Sequence, residues 1–253
     1  PPRWPTLSPP GSSKTPNGNA IRRPIAFPLV RPKGNAMSRS RGTVGIIGAG
    51  KSGVAIARLA IAAGYTVKIA SSGPAHETAL MTDIVSPGAI AVDVEHVAEN
   101  ADIVVIAVPL RRFRDLPLHL LEGHTVIDVM NYWPPIDGIL PEFEDTDRPS
   151  SVVVAQALPA TAELVKSFNH LGYHQMEDLA RPRRDDPARI ALGVAGADIA
   201  ATRAVEEFVD ALGFTPVYIG SLENTAPLQP DTSVFGAALN AASLADHFAA
   251  TAR

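Results

Sequence analysis

The chain of 253 residues is 46% hydrophobic and 19% charged, enough to bury a full core within one α/β domain. It has no cysteine, which excludes a disulfide framework and thiolate metal sites, and no apolar run nears the roughly 20 residues of a membrane-spanning helix, so a cytoplasmic setting without a membrane partner is expected. Its net charge of −4 is uneven: residues 1–42 hold eight Lys and Arg and no acid, leaving −12 for residues 43–253, and an acidic globular part argues against a nucleic-acid partner.

Residues 1–36 carry nine of the 23 prolines and neither helical nor strand periodicity, so they read as a disordered leader: an added segment, an over-extended start or a native tail. The segment is too proline-rich for the amphipathic helix of a targeting peptide. Residues 37–230 then form the expected nucleotide-binding domain with its cleft, and residues 231–253 a C-terminal helical tail.

The domain opens with TVGIIGAGKSGVAIARLAIAAGYTVKIASSG, residues 43–73. An apolar strand, Thr43–Ile47, leads through Gly48, Gly50 and Gly53 into a helix beginning near Lys51. A second strand returns at residues 65–70. This is the first half of a dinucleotide-binding βαβ unit: Gly48 permits the turn, Gly50 lets the backbone approach a pyrophosphate, and Gly53 lets the helix lie close to the sheet. The anion would rest on the helix N-terminus. Gly45 to Ser52 also reads G-x-x-x-x-G-K-S, a triphosphate-binding loop, but that pattern needs a strand at residues 38–42, where Ser-Arg-Ser-Arg-Gly makes a poor one. The dinucleotide reading is preferred, with Ala49, Lys51 and Ser52 as further phosphate contacts.

Onward, the pattern predicts a helix over 75–83, a short strand over 89–92 and a Glu-containing helix over 94–101. Ile103 to Val108 is a β-branched run ending at Pro109, typical of a parallel strand buried on both faces. A crossover helix over 110–121 and a strand over 125–129 follow, the latter ending in Met130-Asn131-Tyr132-Trp133. A loop over 134–149 precedes a helix over 150–158 capped by Ser150 or Ser151, and a strand over 163–168 ends at Asn169-His170. A loop over 172–187, a strand over 190–196, a helix over 197–212 and a strand over 216–219 complete the domain. Residues 233–250 are Ala-rich and read as helical. Alternating strands and helices give a doubly wound, mainly parallel sheet of Rossmann type, with helices on both faces and a small C-terminal extension.

Ligands of such sheets lie across the carboxyl ends of the strands. That singles out Gly48 to Gly53, Ser71 and Ser72, Val108 and Pro109, Asn131, and Asn169 with His170. Asparagine can donate and accept at once, which suits an amide or a ribose; the alternative is that each caps a turn. Ser71 and Ser72 stand where an NAD site commonly places an acid, so NADP is favoured, although no Arg follows them. The spacing of His170 and His174 would suit a metal only on one helical turn, which Gly172 disfavours. No catalytic triad, paired-carboxylate motif or zinc signature stands out.

Taken together, Ile47-Gly48-Ala49-Gly50 with Gly53, Ala70-Ser71-Ser72, Ala107-Val108-Pro109, Val165 to His170, Val194-Ala195-Gly196, and Gly213-Phe214 with Gly220-Ser221-Leu222 resemble the NADPH-dependent reductases of the 8-hydroxy-5-deazaflavin coenzyme F420. The likeness runs from residue 43 to about 230, and the same plan resembles the cytosolic domain of membrane metalloreductases. The resemblance implies NADP(H) at the glycine turn and the serines, Val108, Pro109, Asn131 and Asn169 along the cofactor, and His170, Leu171 and Tyr173 in the acceptor pocket. It implies hydride exchange with a small-molecule redox acceptor, a deazaflavin or flavin, without an acid or base, by a chain that pairs as a homodimer. The alternative is a non-catalytic NADP(H) sensor or partner-binding protein.

Overall fold

A computed structural model of the chain describes residues 40–144 and 148–251; the expected leader over 1–36 lies outside them. Eight strands form the scaffold: β1 (Thr43–Ile47), β2 (Thr66–Ala70), β3 (Ile90–Ala91), β4 (Ile103–Ile106), β5 (Thr125–Asp128), β6 (Glu163–Lys166), β7 (Ala191–Gly196) and β8 (Thr215–Tyr218). Between and after them lie α1 (Lys51–Ala62), α2 (Ala75–Val85), α3 (Pro134–Asp137), α4 (Ser150–Ala157), α5 (Tyr173–Leu179), α6 (Ile199–Ala211) and α7 (Ala241–Thr251).

The strands stand in the order β3-β2-β1-β4-β5-β6-β7-β8. Strands β1 to β6 are parallel, β7 runs antiparallel to β6, and β8 is parallel to β7. The chain reverses its direction of travel between β1 and β4, the point at which a doubly wound sheet opens a crevice. This is the Rossmann-type architecture expected from the sequence.

Period-two alternation divides the core between two faces. On β4, Ile103 and Val105 pack with Ile56, Ala57 and Ala60 of α1, while Val104 and Ile106 pack with Val97, Phe113 and Val153 on the other side. Small residues on α1 let it lie close to the sheet. A third cluster joins Ala191, Ala195 and Ile219 to Leu228, Val234 and Leu244, so α7 folds back on β7 and β8.

Several local expectations are corrected. Only Val94–His96 of residues 94–101 is helical, as a 3-10 turn. The stretch lies flat on β1, where a side chain at Gly45 would meet the Val97 carbonyl oxygen at 2.3 Å. Residues 110–121 form two 3-10 turns, Leu110–Asp115 and Leu118–Leu121, because Pro117 has no N–H to continue a helix. Pro149, not a serine, precedes α4, and the Ser150 N–H donates to Gln229 Oε1 at 3.2 Å. Within the expected loop over 172–187, α5 forms because the Gln175 side chain reaches back to accept from the Gly172 N–H at 3.0 Å. The tail is helical only from Ala241, since Gly236 adopts φ +78° and the Leu239 carbonyl accepts from the Ala191 N–H.

Candidate functional site

At the crevice, β1 ends in the turn Gly48-Ala49-Gly50. Gly48 has φ +117°, and an added Cβ would lie 2.4 Å from the Ala107 carbonyl oxygen, so only glycine fits. An added Cβ at Gly53 would stand 1.9 Å from the Gly48 carbonyl oxygen, which is how closely α1 presses on the turn. Gly50 differs, having ordinary extended backbone and no atom within 4 Å of an added Cβ. The space above it is open. The first turn of α1 has no side-chain cap, which leaves its leading N–H groups facing that space. These are the requirements of a pyrophosphate cradle, and the residues fit a dinucleotide. The triphosphate reading fails, because Gly45 lies within β1.

The cradle belongs to a cavity of about 590 Å³ lined by residues 47–50, 71–74, 93–95 and 107–109, with Met81, Arg112 and residues 115–117. Of the residues predicted from the sequence, it gathers Gly48, Ala49, Gly50, Ser71, Ser72, Val108 and Pro109. The Ser71 Oγ lies 2.6 Å from Thr78 Oγ1 and accepts from the Gly73 N–H at 3.1 Å, so it shapes the turn as well as the wall. Ser72 is exposed. Asp93 accepts from the Ala75 N–H at 2.6 Å and so closes the start of α2.

Other predicted residues stand elsewhere. Lys51 extends along the flank of α1, with its Nζ 5.1 Å from the Tyr173 ring centroid. Both line an adjoining cavity of about 360 Å³ with Arg58 and Glu177, on the other side of the Ala49-Gly50 turn that the two cavities share. Ser52 and Gly53 lie behind the turn, outside the cavity lining. Asn131 and Asn169 bind each other: Asn169 Nδ2 donates to Asn131 Oδ1 at 2.9 Å, and Asn131 Nδ2 donates to the Asn169 carbonyl oxygen at 2.8 Å. Asn169 Nδ2 also donates to the Leu228 carbonyl oxygen at 2.7 Å, while its Oδ1 is buried without a partner among the described residues.

His170 and Leu171 are buried in the core rather than forming a pocket wall. The Gly193 N–H donates to His170 Nε2 at 3.1 Å. Burial pushes the imidazole down to about 4, so it is neutral at ordinary pH. His174 is exposed on α5, away from that buried ring. Phe168 redirects the chain here with φ +64°, a conformation rare for an aromatic residue. Its ring is held edge-on by Phe208 and Phe214.

Sequence reasoning passed over several groups. Lys166 and Asp128, in register on β6 and β5, form an ion pair at 3.0 Å with 0% and 1% of their side chains exposed. Lys166 Nζ also donates to the Met130 carbonyl oxygen, and Asp128 Oδ1 accepts from the Met130 N–H at 2.9 Å, fixing the turn that leads to Asn131. Burial lowers the Lys166 pKa against the pull of Asp128. Charged residues at inward positions of two apolar strands were the available signal. A third cavity, of about 640 Å³, lies between residues 132–144 and 226–232 and includes Tyr132, Phe143, Gln229 and Asp231. No sequence pattern foretells it, because its walls meet only in the fold.

Residues 43–132 match the family described as NADP oxidoreductase, coenzyme F420-dependent. The family resemblance seen in the sequence therefore holds over that stretch. A hypothetical protein from Sinorhizobium meliloti is 29% identical, with a TM-score of 0.67 covering 79% of this chain and 95% of its own. A provisionally named F420-dependent NADP reductase from Arthrobacter sp. FB24 is 20% identical, with a TM-score of 0.59 covering 74% of this chain and 90% of its own. At that identity the likeness concerns the fold. No curated protein matches the chain.

Proposed function

Taking residues 43–132 as a member of the coenzyme F420-dependent NADP oxidoreductase family, we propose that the protein passes hydride between NADPH and a deazaflavin or flavin-like acceptor. The observation that carries this reading is the space above Gly50 at the uncapped start of α1, continuous with a cavity bounded by Ser71, Ser72, Val108 and Pro109. The bound dinucleotide would supply the hydride from nicotinamide C4, and the acceptor would take it up.

The protein's part is to bind and align. The leading N–H groups of α1 hold the pyrophosphate, Ser72 offers a hydroxyl near the adenosine ribose, and Val108 and Pro109 form a wall along the cofactor. Buried Asn169 positions the partly exposed Asn131 at the carboxyl end of β5, and the Lys166–Asp128 pair beneath fixes the turn that carries it. Residues 132–144 and 226–232 bound the acceptor side, where Tyr132 and Phe143 offer aromatic surface and Gln229 a polar group. Hydride exchange between two stacked rings depends mostly on their distance and angle, so this alignment is the catalytic contribution.

The reading is tested by titrating the protein with NADPH and then adding acceptors separately. NADPH oxidation with the deazaflavin supports it. Tight NADPH binding with no oxidation by any acceptor supports a sensor instead.

A further inference from the structure

An NADP site must neutralise a 2′-phosphate of nearly two negative charges, and the loop after β2, Ser71-Ser72-Gly73, offers hydroxyls but no cation. The rest of the cavity makes this shortage worse. Asp93, Glu95 and Asp115 all line it, and among the described lining residues Arg112 is the one cation. Arg112 comes from the 3-10 turn after β4, across the crevice from the serines, and not from the segment where the sequence would place a phosphate-binding arginine.

We propose that Arg112 is the specificity-determining residue for the 2′-phosphate, swinging from Asp115 to the phosphate beside Ser72. Its present partner holds it weakly: Nε is 3.2 Å from Asp115 Oδ2, and the two side chains are 56% and 58% exposed. Such a pair contributes little and is screened by salt. A guanidinium can bind two phosphate oxygens at once, which a serine hydroxyl cannot do. Asp93 is already engaged as the acceptor for the Ala75 N–H. Asp115 then has a use in discrimination, since a cofactor that does not recruit Arg112 leaves that cation on Asp115.

The inference rests on the cavity being the NADP(H) site, and the test separates the two. Dissociation constants for NADPH and NADH are measured for the wild type, Arg112→Gln and Arg112→Lys, with melting temperatures to confirm folding. Adenosine 2′,5′-bisphosphate and adenosine 5′-phosphate serve as probes without nicotinamide. The expected result is a loss of about tenfold or more in NADPH affinity for Arg112→Gln, with NADH changed by less than about threefold. Arg112→Lys should keep part of the preference, and the bisphosphate should lose affinity in parallel with NADPH. A wild type that prefers NADPH with an Arg112→Gln variant that keeps the same preference would overturn the role of Arg112 alone. Failure of the wild type to bind either dinucleotide would overturn the cofactor reading and this inference with it.

Discussion

Lys166 and Asp128 stand side by side on neighbouring parallel strands with their charges joined at 3.0 Å and both side chains closed off from water. Together they also satisfy the carbonyl oxygen and N–H of Met130. Removing one partner strands the other charge in the core. Lys166→Met should therefore destabilise the protein by about 3 to 5 kcal/mol in urea unfolding, and Asp128→Leu by a similar amount. The double variant should cost clearly less than the two together. Additive losses would mean that the pair is not coupled as described.

Two glycines of the same turn should respond in opposite ways. At Gly53 an added methyl group meets the Gly48 carbonyl oxygen, so Gly53→Ala should lower stability by about 1 to 3 kcal/mol. At Gly50 the added atom enters open space, so Gly50→Val should fold with a loss below about 1 kcal/mol while weakening NADPH binding at least about tenfold. Thermal melts with parallel NADPH titrations decide it, and unchanged affinity in Gly50→Val would remove the turn from the site.

His170 gives stability a pH dependence of defined sign. Its folded pKa is about 4, depressed by burial from 6.5, so the unfolded chain binds the extra proton first. Stability should be level above about pH 7, fall as the pH drops below 6.5, and lose roughly 3 kcal/mol by pH 4. His170→Gln should flatten that slope in unfolding measured across the range. An unaltered slope would place the titration elsewhere.

Asn169 is the group whose loss should be felt in transfer rather than in binding alone. Asn169→Ala removes its donations to Asn131 and to the Leu228 carbonyl oxygen, leaving the Asn131 amide less firmly placed. The expected cost is roughly 1 to 3 kcal/mol in kcat/KM, a slowing and not an abolition. Steady-state kinetics with NADPH and the active acceptor would test it, and complete loss of turnover in a folded variant would assign Asn169 a more direct part in the reaction.

What could be read before the fold was in hand follows from range. Gly48, Gly50 and Gly53 act within one turn and its helix, and Ile103 to Ile106 announces a doubly buried strand, so the Rossmann-type sheet and the cradle were legible. The strand end at Asn169-His170 was legible as a position, but not its burial, because Gly193 and Leu228 come from distant segments to enclose it. Arg112 was hidden for the same reason: it comes to line one cavity with the serines only after β4 is laid beside β1. The helix forecast over 110–121 erred locally, where Pro117 outweighed the apolar spacing.

Hydride transfer from NADPH to a deazaflavin is followed most directly as the loss of NADPH absorbance with the deazaflavin, flavins, ferric chelates and quinones offered one at a time. The expected result is steady consumption of NADPH with the deazaflavin, slower or absent with the others, and slowed at least about tenfold in Gly50→Val at sub-saturating NADPH. Tight NADPH binding with no turnover by the deazaflavin or any other acceptor would contradict it.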